Sequence, residues 1–110
     1  MSSQIENLLR VMTNGDKEAK ITAIPVTNTP SLFTSQLSGS FSRRRLNVYN
    51  NSNASSGECF YGFSDDITPT SKSQVLVKKE TKEIKVTTNI PVYVCCVSGE
   101  KGDLRFEEIA

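Results

Sequence analysis

The chain has no histidine and no tryptophan in 110 residues. Without histidine the commonest general base is missing, and so are the Ser-His-Asp and Cys-His nucleophile pairs and most zinc sites. Without tryptophan the core must rest on Phe, Tyr, Val, Ile and Leu, and at 36% hydrophobic residues it will be lean. Lean cores in short chains often gain stability from neighbouring subunits, so a homo-oligomer is expected. Long apolar runs are also missing, which excludes a membrane-spanning helix. Residues 1–20 carry Glu6, Asp16 and Glu18 and have no continuous apolar centre, so they do not read as a secretory signal. The chain is expected to be made in a cytoplasm, and to stay there or be packaged from there. Its net charge of +1 lacks the cation surplus that grips phosphates, so no specific nucleic acid is expected.

Residue types that could carry chemistry are present but poorly arranged. Cys59, Cys95 and Cys96 are an odd number without metal spacing. Cys95 and Cys96 would face opposite sides of a strand, so all three read as small buried hydrophobes, uncoordinated and reduced. Asp65-Asp66 and Glu107-Glu108 are adjacent pairs, whereas carboxylate catalysis needs two groups converging across a cleft. Arg43-Arg44-Arg45 is the one dense charge run; on a strand Arg44 projects away from its neighbours, which suits a solvated or edge-protecting role. Asn50-Asn51-Ser52 and Asn53-Ala54-Ser55 match the glycosylation pattern by chance in an Asn/Ser-rich loop. Ser98-Gly99-Glu100-Lys101-Gly102 is a hairpin-type loop, since no helix follows it. No catalytic residue, cofactor or metal site is assigned.

The grammar of the chain changes near residue 15. Ser3 and Glu6 have capping-box spacing. Ile5, Leu8, Leu9 and Met12 recur at i, i+3, i+4 and i+7, and Asn14-Gly15 supplies a left-handed stop. This predicts one short N-terminal α-helix within a segment 1–19. A helix below ~12–15 residues is marginal alone, so its stripe must dock on its own sheet or on another subunit. We take Ile5, Leu8, Leu9 and Met12 as partner-binding.

From residue 20 to 110 the pattern predicts a mainly β domain. A strand-like run at 20–27 contains Pro25, which places it at a sheet edge or in an extended arm. Residues 32–42 read as a loop or a poor strand. Leu46 and Val48 alternate with Asn47 and Tyr49 in a half-buried strand over 43–50. Residues 58–63 form the next, with Gly62 marking a bulge or a close backbone approach. Runs at 74–78 and 83–87 predict a hairpin around 80–82. Residues 92–97 are the most apolar run and should be buried on both faces. Leu104 and Phe106 close the chain. Six or seven short strands at this spacing predict an antiparallel β-sandwich or small barrel.

Two segments carry a family resemblance. Arg44-Arg45-Leu46-Asn47-Val48-Tyr49-Asn50-Asn51-Ser52 and Cys59-Phe60-Tyr61-Gly62-Phe63-Ser64-Asp65-Asp66-Ile67-Thr68 resemble small tailed-phage virion structural proteins, of the head-fibre or capsid-decoration type. The run from Ile90 to Gly99 that closes on Leu104-Arg105-Phe106-Glu107-Glu108 is similar to how such proteins finish, and residues 5–15 look like the start of some of them. A loop over 70–82 without the Gly expected at a hairpin departs from that pattern. The resemblance implies a non-enzymatic β-sandwich module in a virion, made in the host cytoplasm, whose partners are the major capsid protein or tail and neck proteins. The first reading is a capsid decoration or head-fibre base. A tail, neck or connector component is the alternative. A carbohydrate-binding or adhesin module is a further one, with Tyr49, Tyr61 and Tyr93 as its candidate platforms.

Overall fold

The structure is a computed structural model and describes residues 18–37, 45–52 and 57–110. The predicted N-terminal helix, with Ile5, Leu8, Leu9 and Met12, lies outside the described residues, as do Arg43 and Arg44.

Among the described residues eight strands build two antiparallel sheets, one more than the upper expectation. In chain order they are β1 (Ala19–Val26), β2 (Ser31–Phe33), β3 (Arg45–Asn50), β4 (Cys59–Gly62), β5 (Gln74–Leu76), β6 (Thr81–Glu83), β7 (Val92–Cys96) and β8 (Gly102–Ile109). One sheet, called sheet A, has the order β1-β8-β3-β6, and sheet B has the order β2-β7-β4-β5. The first strand pairs with the last, β2 with β7, β3 with β6 and β4 with β5. The chain therefore behaves as one long hairpin turned at β4–β5 and rolled up, with the β3–β8 and β4–β7 ladders completing each sheet. This eight-stranded, two-sheet arrangement is the jelly roll, a sandwich rather than a closed barrel.

Strand alternation puts one face of each sheet inside. Leu46 and Val48 from β3, with Leu104 and Phe106 from β8, meet Val92, Val94 and Cys96 from β7 and Cys59 and Leu76 from sheet B. Phe33 of sheet B stacks on Phe106 of sheet A, with ring centroids 4.2 Å apart and planes 15° from parallel. Each such side chain contributes about 1.5–3 kcal/mol when fully buried. At one end of the sandwich the interior is polar. Asn50, fully buried, donates from Nδ2 to the carbonyls of Gly57 and Leu76, 2.7 Å each, and its Oδ1 accepts from the Ser52 amide at 3.0 Å. Because Leu76 belongs to sheet B, this side chain ties the two sheets together.

The expected hairpin over 74–87 is wrong. β5 pairs with β4 and β6 pairs with β3, so the two runs lie in different sheets. A hairpin would put Leu76 and Ile84 in one sheet, whereas here each is buried from a different side of the sandwich. The crossing at 77–80 is anchored instead by Asn50, whose carbonyl accepts from Lys79 at 2.8 Å and whose amide donates to Glu80 at 2.9 Å. Lys79 takes the left-handed turn at φ 64 where no glycine is available. The poor strand expected at 32–42 is three residues long, β2, and starts one residue earlier. Gly62 marks a close approach: a Cβ there would lie 2.4 Å from Ile67 Cγ2 and 2.6 Å from the Lys72 carbonyl.

Candidate functional site

The register of the ladders fixes which side chains leave the sandwich. On sheet A the outward positions are Ala19, Ile21, Ala23 and Pro25 on β1, then Asp103, Arg105, Glu107 and Ile109 on β8. Arg45, Asn47 and Tyr49 follow on β3, and Thr81 and Glu83 on β6. Over β3, β6 and most of β8 this is an ordinary solvated face, while β1 adds the apolar Ala19, Ile21, Ala23 and Pro25. Asn47 Nδ2 donates to Glu107 at 2.9 Å, Asn51 Nδ2 to Asp103 at 3.0 Å, and Arg105 lies 3.8 Å from the Asp103 carboxylate.

Sheet B differs. Its outward strand positions are Leu32, Tyr93, Cys95, Phe60, Gly62 and Val75, and none is charged. Leu32 is 50% exposed and Val75 37%. Val77 and Val97 continue the same alternation just past β5 and β7 and are also exposed. Part of this face is covered by the chain itself, because the loop at 63–73 brings Ile67 over the bare backbone of Gly62, leaving Ile67 buried. That loop is held by Asp66, which pairs with Lys72 and accepts from Ser64 Oγ at 2.5 Å. The Lys72 ammonium, ahead of the Ser64 hydroxyl, holds the Asp66 carboxyl below its ordinary value of 3.8, and the carboxylate in turn raises Lys72.

An exposed apolar patch on an otherwise polar protein marks a place where something else sits. The uncharged outer face of sheet B is therefore the candidate functional site.

The residues singled out in the sequence fall as follows. Cys59, Cys95 and Cys96 are free and buried. Cys59 and Cys96 face each other across β4 and β7 inside the sandwich, while Cys95 points to the outer side of sheet B, outside the core between the sheets. Burial, ahead of any neighbouring charge, pushes all three thiols above their ordinary value of 9.0. Asp65 and Asp66 are exposed on the 63–73 loop. Glu107 points out, and Glu108 points in, fully buried and accepting from the Gln36 amide at 2.8 Å. Among the described residues no group of three His, Cys, Asp or Glu could hold a metal ion. Of the three tyrosines, Tyr61 faces the interior with the Lys82 ammonium 5.8 Å from its ring centre, which removes it as an exposed platform. Tyr49 and Tyr93 are half-buried on the two outer faces. Tyr49 lines a shallow hollow of about 270 Å³ with Ile21, Asn47, Thr81, Arg105 and Glu107. Burial of Asn50 rules it out as a glycosylation acceptor.

The sequence reading expected both faces of 92–97 to be buried but missed that the apolar outer face extends over the neighbouring strands, although its residues alternate visibly with core positions. Phe60, Val75 and Tyr93 each sit one position from a buried residue, and only the pairing shows that they share a face.

No family model matches the chain, and no curated protein matches it. A solved structure of Bacillus endospore appendages, described as a novel family of disulfide-linked pili, is 12% identical over 84% of this chain and 85% of its own, with a TM-score of 0.47. Likeness at that level carries neither function nor assembly from that protein to this one.

Proposed function

We propose that the chain is a bacteriophage virion structural protein, a non-enzymatic module that sits on the capsid as a decoration protein or head-fibre base. The observation that carries this reading is the uncharged outer face of sheet B. A jelly roll is a scaffold used by capsid and lectin domains alike, so the fold does not choose between them. The face does favour assembly, because a folded sandwich gains nothing by leaving Leu32, Phe60, Tyr93 and Val75 in contact with water. In this reading the partner is the major capsid protein, the surface acts by burial, and the stripe of Ile5, Leu8, Leu9 and Met12 adds a second anchor. Particles purified from a phage that carries this gene should contain the chain in stoichiometric amount, and Val75→Lys should lower its incorporation at least tenfold while leaving its melting temperature unchanged. Absence of the chain from purified particles, or undiminished incorporation of Val75→Lys, refutes the reading.

One observation favours a second reading, a carbohydrate-binding or adhesin module. The hollow around Tyr49 sets an aromatic ring among an amide, a carboxylate and a guanidinium, the groups that hold sugar hydroxyls. Glycan-array binding that vanishes in Tyr49→Ala would support it.

A further inference from the structure

Sheet edges are where β proteins join one another, and most are blunted by short strands, charge or proline. Here the edge strands β2, β5 and β6 are three residues each. The fourth, β1, is eight residues long and paired along its whole length on one side to β8. Among the described residues its other side has no ladder partner.

Two hydrogen bonds define what that free side offers. The Ala110 amide donates to the Glu18 carbonyl at 2.9 Å, and the Asn51 amide donates to the Asp103 carbonyl at 2.8 Å. A strand residue directs its N–H and C=O to the same side and the next residue directs them to the other. Residues 20, 22, 24 and 26 therefore bond to β8, while Ala19, Ile21, Ala23 and Pro25 turn theirs to the open edge. Pro25 has no N–H, which leaves three donors, on Ala19, Ile21 and Ala23.

We propose that two copies of this chain join through β1, antiparallel, about a two-fold axis at Ile21. In that register Ile21 pairs with Ile21 of the partner and Ala19 with Ala23 of the partner, two hydrogen bonds to each pair, so every donor on the edge is used and Pro25 falls beyond the ladder. Sliding by one pairing step would set Ala19 against Pro25, a pair that keeps one hydrogen bond instead of two and brings the proline ring onto the partner's carbonyl. The side chains agree. Ile21, 71% exposed, is the most exposed large hydrophobic of the described chain and meets its own copy between small alanines. On the other side Lys20 faces Thr22 of the partner, so no ammonium opposes its own copy. The product is one continuous sheet in the order β6-β3-β8-β1-β1-β8-β3-β6. A ladder of three residue pairs is a short contact, so the dimer is a weak one that dissociates on dilution.

The proposal is independent of the virion reading, and different residues test it. Sedimentation of the full chain over a concentration series should show a monomer–dimer equilibrium. Ala23→Pro should be monomeric with an unchanged melting temperature, because its N–H is unused by β8 and proline is tolerated on the open side of an edge strand. Ile21→Lys and Ile21→Glu should each be monomeric alone and form a 1:1 dimer when mixed, the signature of a two-fold that brings residue 21 beside its own copy. The proposal fails if the wild-type chain is monomeric at every concentration, or if Ala23→Pro dimerises as wild type does. It also fails if the Lys and Glu variants do not pair, or if Val75→Lys rather than Ala23→Pro abolishes the dimer. In that last case the contact lies on the outer face of sheet B.

Discussion

The two outer faces of this sandwich have the same backbone geometry, but charged side chains stand on only one of them. On sheet A, charged and amide side chains satisfy one another, Asn47 of β3 on Glu107 of β8 and, within β8, Arg105 beside Asp103. On sheet B the equivalent positions are Leu32, Phe60, Tyr93 and Val75, with a fully buried thiol, Cys95, among them. An antiparallel sheet needs only one apolar face to fold. The second apolar face of sheet B therefore adds nothing to the fold between the sheets, and the proposed function gives it a use. The loop at 63–73 shows the same logic within the chain, since Ile67 is buried on that side away from the core.

The contrast exists only while the two sheets are locked together, so the largest effect should come from breaking the lock. Asn50→Ala strips the hydrogen bonds from the buried carbonyls of Gly57 and Leu76 and from the Ser52 amide. At ~1–3 kcal/mol for each of these three buried groups left unsatisfied, a loss of at least about 3 kcal/mol is expected in urea unfolding. A loss below about 0.5 kcal/mol would mean that this end of the sandwich is wet and that Asn50 is no clamp.

Next in size is the covering of sheet B. Gly62→Ala places a methyl against Ile67 and the Lys72 carbonyl, the second of which is backbone and cannot swing aside. Overpacking of this kind costs about 1–3 kcal/mol. If Ile67 is the lid on this face, the same substitution should also speed thiol labelling of Cys95 in native conditions, leaving Cys59 and Cys96 slow. Equal labelling of all three would show that the sandwich opens as a whole and that the outer face has no lid of its own.

The thiols provide a smaller, pH-dependent comparison between inside and outside. Each is raised by burial, so the folded state disfavours the thiolate. Stability from this source is intact below the unfolded thiol value and declines as pH rises past it toward the folded values. The urea midpoint should therefore fall between neutral pH and roughly pH 10, where an unfolded thiol is ionised. Changing Cys59 to Ser, which keeps a small polar group beside Ser52, should flatten part of that fall.

Much of this architecture was legible one strand at a time. Leu46 and Val48, the apolar run ending in Cys95-Cys96, and Leu104 with Phe106 all announced their strands through period-two alternation, and Pro25 announced an edge. Gly62 was legible as a close approach because a glycine within a strand leaves room for something. What stayed hidden was non-local. A jelly roll pairs strands from opposite ends of the chain, and no short-range signal tells β5 to join β4 while β6 crosses to β3. Two apolar runs separated by a few polar residues look like a hairpin, and the missing turn glycine was the one hint against it. Asn50 was hidden for a different reason: an Asn beside Asn and Ser reads as loop, and only the fold reveals that its amide faces two buried carbonyls. The outer face of sheet B was hidden because a residue's face depends on register across three strands.

The smallest effect expected concerns the ion pair that holds the covering loop of sheet B. Asp66 and Lys72 are both well exposed, with side chains 53% and 60% accessible, so solvent screens the pair and its share of stability is slight. Its sign is nonetheless defined at both ends of the pH scale. The Asp66 carboxyl is depressed, so its contribution is present above 3.8 and is lost as pH falls through the folded value. The Lys72 ammonium is raised, so its contribution is present below 10.5 and is lost as pH rises through the folded value. Asp66→Asn removes both dependences together. Since the loop is pinned mainly by Ile67 packing and by the Thr68–Ser71 bridge, the variant should melt as wild type does near neutral pH, and Cys95 should stay as slow to label. If Cys95 labelling instead rises as much as in Gly62→Ala, the salt bridge and not the buried isoleucine keeps the loop on sheet B, and the covered part of that face is an electrostatic closure sensitive to salt.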